Sequence, residues 1–172
     1  TVRSEHETAV RSLLVYLKGR GLKTPHLFIT DDAKGIIAAL ELEYPHVKRQ
    51  LCAFHKINNI DKHLEDKENR AAIMRQAGDI YQLSPSRREA IERFGVFIKD
   101  WKRREPEAVR LFKQGFERTL TYFDFPKDDW KSIYTSNPIE QQIGTEISGD
   151  VVGDIAQVAG EKYRFIGARG PN

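Results

Sequence analysis

The sequence is poor in cysteine and contains no long apolar run, and each absence excludes a class of protein. Its single cysteine, Cys52, excludes an internal disulfide framework and favours a reducing compartment. No apolar run approaches the roughly 20 residues that a membrane-spanning helix needs, and no signal-peptide pattern is present. We therefore expect a soluble, cytoplasmic protein.

An excess of charge of one sign is also nearly absent. Lysine and arginine number 28 against 25 aspartates and glutamates, which gives a formal net charge of +3 with both signs mixed along the chain. Such a balance permits a nucleic-acid partner without arguing for one. The 172 residues suffice for one compact domain. Because the sequence begins at Thr1 without an initiator methionine, we expect it to start inside a longer reading frame.

The spacing of apolar residues predicts a helix followed by a strand–helix–strand unit. Residues 5–20 carry one apolar stripe at helical spacing and end before Gly21. Residues 26–30 have the character of a buried strand, 33–43 of a second helix and 47–54 of a second strand. Such a unit normally joins two parallel strands by a right-handed crossover.

Beyond His55 the chain is predicted to be mostly helical. One long helix is indicated by apolar residues at three-four spacing, namely Ile91, Phe94, Ile98 and Trp101. Pro106 fits the first turn of the next helix. Residues 119–134 combine aromatics with turn residues and are expected to form a packed connection. From Gly144 onward glycines interrupt every periodic pattern, so no element is predicted there.

Two acidic residues, Asp31 and Asp32, follow the first predicted strand. Acids at the carboxyl end of a parallel strand lie where open α/β sheets bind ligands and metals. Aspartate is also a preferred N-cap, and capping of the helix that begins near Ala33 is the simpler explanation of an acid here. Of the two, Asp32 is the better cap and Asp31 the better metal ligand.

Glu140 is a candidate partner for Asp31. Enzymes that cut DNA commonly hold two divalent metals between carboxylates, and hard oxygen ligands suit Mg²⁺ or Mn²⁺. Glu140 follows residues 135–138, where a capped helix is expected to begin. Taken alone, an acid in such a helix is most often an exposed surface residue.

Cys52 and His55 form a C-x-x-H pair at the predicted junction of strand and helix. A closed zinc site needs four ligands. The remaining histidines form no second pair: His6, His26, His46 and His63. A buried cysteine with a hydrogen-bonded histidine near an active site is the simpler interpretation, and a zinc-binding module is the alternative.

Four short blocks of the sequence, in this order and at these intervals, resemble Mutator-type insertion-sequence transposases. They are LKGRGL at residues 17–22, FITDDAKGI at 28–36, QLCAFHK at 50–56 with Asn59, and TSNPIE at 135–140. Together they extend the resemblance over residues 5–140. Each block alone is a weak signal, whereas their order and spacing are specific.

The resemblance implies an α/β, helix-rich domain with a partial ribonuclease H-like fold. Short parallel strands and an α-helical insertion at about residues 60–125 would make up a partial catalytic domain at residues 1–140. Residues 141–172 would be a divergent tail and are a candidate for disorder.

The resemblance also implies an Asp-Asp-Glu triad that binds Mg²⁺ or Mn²⁺. Asp31 matches the second aspartate of the triad and Glu140 its glutamate, and the first aspartate belongs to a strand upstream of Thr1. The family signature is matched by Cys52, His55 and Asn137. We expect the C-x-x-H pair to support the site or contact DNA rather than hold the catalytic metals.

Two departures from the family pattern bear on activity. Asp32 stands where the family usually has glycine, which adds negative charge. After Glu140 the family continues with an asparagine and an arginine-rich run, whereas residues 141–150 here read QQIGTEISGD, as after a frameshift, a fusion or decay. Because the first aspartate is missing as well, we expect this chain alone to be inactive.

The function implied for the intact protein is DNA transposition in a bacterium. A homo-oligomer assembled on transposon ends and target DNA would cleave the ends and transfer the strands, in the cytoplasm and associated with the nucleoid when bound to DNA. Cations of the helical insertion are candidates for phosphate contacts, although a solvated helix face is the simpler interpretation: Lys99, Lys102, Arg103 and Arg104. The alternative function is a noncatalytic DNA-binding or interaction remnant of a decayed transposable element.

Overall fold

The computed structural model describes residues 5–134 and 155–158, which belong to two compact units. The α/β unit comprises residues 5–50 with 155–158. The helical unit is Leu51–Thr135, described as far as Tyr134. The protein is helix-rich with a small pair of parallel strands, as the sequence predicts.

Helix α1 spans Glu5–Gly19 and ends at the predicted place. It buries Val10 and Leu14. Gly21 has φ 91°, a left-handed conformation that glycine adopts without steric cost. The N–H of Gly21 donates to the oxygen of Lys18 and the N–H of Leu22 to that of Leu17, at 2.9 and 3.0 Å. This pair of bonds is a Schellman motif, which satisfies the last carbonyls of the helix.

Among the residues that the structure describes, the sheet has three short strands in the order β2-β1-β3. They are β1 (Leu27–Thr30), β2 (Lys48–Leu51) and β3 (Ile155–Val158). Strand β1 lies in the centre, and all four of its residues are buried. Its neighbour β2 runs parallel to it, whereas β3 pairs antiparallel with Leu27 opposite Val158. The strand β3 lies in the part of the tail for which the sequence predicted no element.

The second strand is shorter than predicted. The sequence indicated a strand over residues 47–54, but β2 ends at Leu51 and a helix begins at Ala53. The run of apolar residues continues through this junction, and its members Leu51, Cys52 and Ala53 are all buried. Burial therefore persists while the backbone changes from strand to helix, and a short apolar run does not reveal that change.

Helix α2 (Lys34–Glu43) lies between the parallel strands in the chain and packs on α1. The core of the unit is one cluster of apolar side chains from α1, β1, α2 and the start of β2: Val10, Leu14, Phe28, Ile36, Ala39, Leu40, Tyr44 and Val47. Burial of this cluster is the main favourable contribution to the stability of the unit.

Charged side chains also join α1 to the end of α2. Lys18 Nζ donates to the carboxylate of Glu43 at 2.8 Å and to its backbone oxygen at 2.7 Å. Arg11 Nε donates to the same carboxylate at 2.8 Å. The two cations, Lys18 first, hold the pKa of Glu43 below its ordinary value. Lys18 Nζ also lies 4.3 Å from the ring centre of Tyr44. Lys18 thus contacts the C-terminal end of α2 through the Glu43 carboxylate, the Glu43 backbone oxygen and the Tyr44 ring.

The helical unit contains five helices. They are α3 (Ala53–Lys62), α4 (Arg70–Gln82), α5 (Arg87–Trp101), α6 (Pro106–Lys113) and α7 (Trp130–Ile133), with 3-10 turns at Lys67–Asn69, Phe116–Asp124 and Lys127–Asp129. Ser86 caps α5 by accepting the N–H of Glu89. Pro106 lies in the first turn of α6, as predicted.

The buried face of α5 differs from the predicted one. Ile91 was expected in the apolar stripe, but its side chain is 47% exposed. The residues that α5 buries are Ala90, Phe94, Phe97 and Trp101. Phe94 stacks on Phe116 with ring centres 3.6 Å apart, and Phe97 meets Phe112 edge-on at 5.0 Å. These aromatic contacts select the face that turns inward, because large rings bury more apolar surface than the isoleucines.

No helix in the described part of the chain is long and apolar enough to cross a bilayer.

Candidate functional site

Asp31 lies directly after β1, at the carboxyl end of the central strand. Thr30, the last residue of the strand, is buried, and its hydroxyl donates to the backbone oxygen of Asp31 at 3.0 Å. Asp31 itself is half-buried. The apolar strand thus carries the carboxylate to the edge of the sheet where ligands of α/β proteins commonly bind.

One oxygen of the Asp31 carboxylate is held by the backbone. Its Oδ1 accepts the N–H of Ala33 at 2.9 Å, which fixes the side chain against the start of α2. Its Oδ2 makes no hydrogen bond to any other residue that the structure describes. A carboxylate anchored through one oxygen and open at the other can act as a monodentate ligand of a hard cation.

Asp32 does not occupy the N-cap position of α2, which corrects the prediction made for it. The N-cap residue is Ala33, and α2 begins at Lys34. Asp32 is exposed. The backbone turns one residue later than the sequence indicated, and the carboxylate of Asp31 takes the N–H of Ala33 that faces it. Asp31 is therefore the acid that accepts a backbone N–H at the start of α2.

The other carboxylate predicted for the site lies outside the described residues. Glu140 and Asn137 both fall within residues 135–154, whose structure is not described. The last described residue before them is Tyr134, at the end of α7.

Cys52 and His55 belong to the helical unit, at the start of α3. Cys52 is the N-cap residue and is completely buried, as expected for a cysteine that packs as a small apolar side chain. His55 is half-buried in the first turn, with its ring 5.9 Å from that of Phe54. Within residues 5–134, no group of three or more histidine, cysteine or acidic side chains lies close enough to hold a metal ion.

The start of α3 is joined to the segment that leads toward Glu140. The N–H of Ala53, next to Cys52, donates to the backbone oxygen of Tyr134 at 3.0 Å. The ring of Tyr134 stacks on that of Tyr81 with centres 6.5 Å apart. Tyr81 is buried and hydrogen-bonded to Thr119 at 2.9 Å, and burial raises the pKa of its hydroxyl. The C-x-x-H motif and the entry to residues 135–140 thus share one packed region of the helical unit.

Glu105 is a buried acid with a structural role that the sequence did not predict. It is completely buried, and its carboxylate accepts the backbone N–H groups of Glu65 and Asp66 at 2.7 and 3.1 Å. The same carboxylate accepts the side-chain amide of Asn69 at 2.8 Å. Three donors satisfy the charge that burial would otherwise penalise. Its position directly before Pro106 was the only local signal.

Cations at the end of α5 form an exposed group. Lys99, Lys102, Arg103 and Arg104 are all exposed, as the sequence indicated for a helix face. Arg104 lies with its guanidinium 4.3 Å from the ring centre of Trp101. These four residues make no ion pair with an acid in the described part of the chain.

Comparison with known proteins gives a consistent set of relatives. A family model described as "Transposase, Mutator family" matches residues 1–148. The transposase for insertion sequence element IST2 of Acidithiobacillus ferrooxidans is 32% identical over 142 residues, covering 82% of this chain and 47% of the relative. The transposase for IS905 of Lactococcus lactis subsp. lactis is 28% identical over 137 residues, covering 80% and 34%.

A third relative has the same pattern of coverage. The transposase for ISRM5 of Rhizobium meliloti is 30% identical over 139 residues, covering 80% of this chain and 34% of its own length. The chain therefore spans between about a third and about half of the length of these relatives.

Proposed function

This chain belongs to the Mutator family of transposases, and we propose that within an intact transposase it supplies Asp31 and Glu140 to a divalent-metal site. That site would cut transposon ends and join them to target DNA. The observation that carries the proposal is the placement of Asp31, at the carboxyl end of a central buried strand with one carboxylate oxygen open.

The residues at this place have the chemistry that the metal requires. Mg²⁺ and Mn²⁺ prefer hard oxygen ligands, and the free Oδ2 of Asp31 is one. Glu140 would provide the second carboxylate, and the first aspartate of the triad would come from a part of the relatives' length that this chain does not span. The metal ions, when bound, would supply positive charge that stabilises the attacking and leaving oxygens of the phosphodiester.

In this proposal the domain has a ribonuclease H-like fold with a helical insertion. The parallel strands β1 and β2 with α2 would be part of the catalytic sheet. The helical unit, Leu51–Thr135, would be the insertion between the second aspartate and the glutamate of the triad. The bond from Ala53 to Tyr134 supports this proposal, because it returns the chain from the insertion beside the place where the insertion began.

The C-x-x-H pair would support the site from the helical unit. Cys52 fills a buried position at the N-cap of α3, next to the residue that binds Tyr134. We assign to this pair the orientation of the segment that carries Asn137 and Glu140. The partners of the intact protein would be transposon ends and target DNA, held by a homo-oligomer.

Cleavage by the full-length transposase tests the assignment. Asp31→Asn and Glu140→Gln should each abolish Mg²⁺-dependent cleavage of transposon ends while leaving binding of those ends intact. Asp32→Asn is the matched control, because it removes the same charge one residue away from an exposed position. Cleavage that survives either of the first two substitutions would remove those residues from the catalytic site.

The chain by itself separates the enzyme from a noncatalytic remnant. We expect the 172-residue chain alone to lack cleavage activity, and the same chain within a longer protein that supplies the proposed first aspartate of the triad to gain it. An extended protein that binds DNA but never cleaves would favour the remnant.

A further inference from the structure

We propose that the turn between α5 and α6 is a contact surface for the phosphate backbone of duplex DNA, formed by Lys99, Lys102, Arg103 and Arg104. We call these four residues the α5–α6 cation group. The inference rests on the proposed function in taking DNA as the partner, and it concerns binding rather than cleavage.

The charge of the α5–α6 cation group is concentrated and exposed. Residues 99–104 contain four cations and one acid, Asp100, so their excess of positive charge equals the formal net charge of the whole chain, +3. All four cations are exposed. A local excess of this kind attracts a polyanion even when the protein as a whole is nearly neutral.

The acid within the group, Asp100, and the acid directly after it, Glu105, are held by other residues. Asp100 Oδ2 accepts the amide of Gln76, on α4, at 2.9 Å. The carboxylate of Glu105 is buried and accepts three N–H groups. Neither acid forms an ion pair with a member of the group, so within the described residues the four cations keep their charge available to a partner.

Other arginines of the helical unit are arranged differently. Five of them contact a carboxylate within the unit, whereas Arg75 makes no ion pair with a described acid; the five pairs are Arg70 with Asp61, Arg87 with Asp124, Arg88 with Glu92, Arg93 with Glu89, and Arg110 with Glu107. Pairing with an acid is therefore common among the arginines of this surface, and what distinguishes the α5–α6 cation group is that four cations without such a pair lie within residues 99–104.

One member of the group is already oriented. The guanidinium of Arg104 lies over the ring of Trp101, whose indole N–H donates to Gln76. The backbone N–H groups of Arg104 and Glu105 donate to the oxygen of Trp101 at 3.0 and 2.8 Å, which fixes the turn. A guanidinium stacked on an aromatic face keeps the N–H groups of its edge for a phosphate, and less freedom is lost when it binds.

The competing explanation is local. Cations at the C-terminal end of a helix interact favourably with its dipole, and this alone would account for Lys99 and Lys102. That explanation predicts that neutralising the group lowers the stability of the chain and leaves its affinity for DNA unchanged.

DNA binding by the 172-residue chain distinguishes the two. The readout is fluorescence anisotropy of a labelled duplex in EDTA, at several salt concentrations between about 50 and 200 mM. The test variant carries Lys99→Gln, Lys102→Gln and Arg103→Gln. The control carries Lys62→Gln, Lys67→Gln and Lys131→Gln, which remove the same charge from other exposed places of the helical unit. Unfolding of each variant in urea reports any loss of stability.

The proposal predicts a specific loss. The test variant should bind at least about tenfold more weakly than the control, and the slope of log K against log salt should fall by about 2–3, close to 0.9 for each lost phosphate contact. The loss should be equal for a transposon-end duplex and a scrambled one. Equal losses in test and control, an unchanged affinity, or a loss confined to one sequence would each overturn the proposal.

Because no metal is present, this result does not depend on Asp31 or Glu140. If the Asp31 and Glu140 variants lose cleavage but the cation-group variant binds DNA normally, only this inference fails. If the Asp31 and Glu140 variants still cleave but the cation-group variant binds DNA weakly, only the proposed function fails.

Discussion

The backbone N–H of Ala53 donates to the backbone oxygen of Tyr134 at 3.0 Å. This bond joins the first residue of α3 to the last residue of α7, and so it joins the two ends of the helical unit. Cys52 lies next to one partner, and the segment with Asn137 and Glu140 follows the other. Under the proposed function, this bond would be the contact through which the start of α3, with its C-x-x-H motif, orients the segment that leads to Glu140.

Replacing Ala53 with proline should break this bond and also press the proline ring against the oxygen of Tyr134, because Ala53 is completely buried. Proline is tolerated at the first position of a helix, and the preceding Cys52 already has ψ 115°, which suits a residue before proline. The change removes the N–H and leaves the oxygen of Tyr134 without its donor. We expect the free energy of unfolding in urea to fall by about 1–3 kcal/mol.

Lys34→Pro is the matched control for that substitution. Lys34 is the first residue of α2, is exposed, and follows Ala33 with ψ 118°. The free energy of unfolding of the Lys34→Pro variant should stay within about 0.5 kcal/mol of that of the parent protein. If both variants unfold at the same urea concentration, the bond between Ala53 and Tyr134 does not hold the unit together.

Glu105 should be essential to the connection between α3 and α4. Glu105→Gln replaces one carboxylate oxygen with an NH₂ group, which cannot accept a hydrogen bond. Either the N–H of Glu65 or that of Asp66 then loses its acceptor. We expect about 2–3 kcal/mol of lost stability, because hydrogen bonds to a buried charge are strong and an unmet buried donor is costly. Glu117→Gln, at an exposed acid, should change stability by less than about 0.5 kcal/mol. Similar urea midpoints for the two variants would contradict this role.

The contribution of Glu43 should depend on pH. Lys18 and Arg11 lower its pKa from the ordinary 4.5, so the folded state favours the ionised carboxylate. The resulting stability is complete above pH 4.5 and is lost as the pH falls through the lower folded-state value. Glu43→Gln should therefore destabilise the protein by about 0.5–1 kcal/mol at neutral pH, a modest amount because both cations are partly exposed.

The difference between Glu43→Gln and the parent protein should vanish in acid. Glu41→Gln serves as the control, since Glu41 is exposed and has one longer contact, 3.3 Å from Arg49. A penalty for Glu43→Gln that is as large well below pH 4.5 as at neutral pH would show that the charge of Glu43 is not its source.

Local sequence signals predicted the features that depend on neighbours in the chain. The strand before Asp31 could be predicted because an apolar run ends abruptly at an acid, and α1 because its stripe ends before Gly21. The family was predictable from four ordered blocks, and the family model confirms it over residues 1–148.

Features that depend on distant residues were not predictable in the same way. Strand β2 ends early as the chain enters α3, whose first N–H meets the distant Tyr134. Glu105 is buried because donors at Glu65 and Asp66, far away in sequence, converge on it. The exposed side of Ile91 follows from aromatic stacking between α5 and residues after α6. In each case the deciding partner lies outside any local window.

A change of metal specificity tests the central claim most directly, namely that Asp31 is a ligand of the catalytic metal. In full-length transposase, Asp31→Cys replaces a hard oxygen by a softer sulfur, which Mg²⁺ accepts poorly and Mn²⁺ accepts better. We predict that end cleavage by this variant is lost in Mg²⁺ and partly restored in Mn²⁺, whereas Asp31→Ala is inactive in both. Equal cleavage by Asp31→Cys and the parent protein in Mg²⁺ would contradict the account.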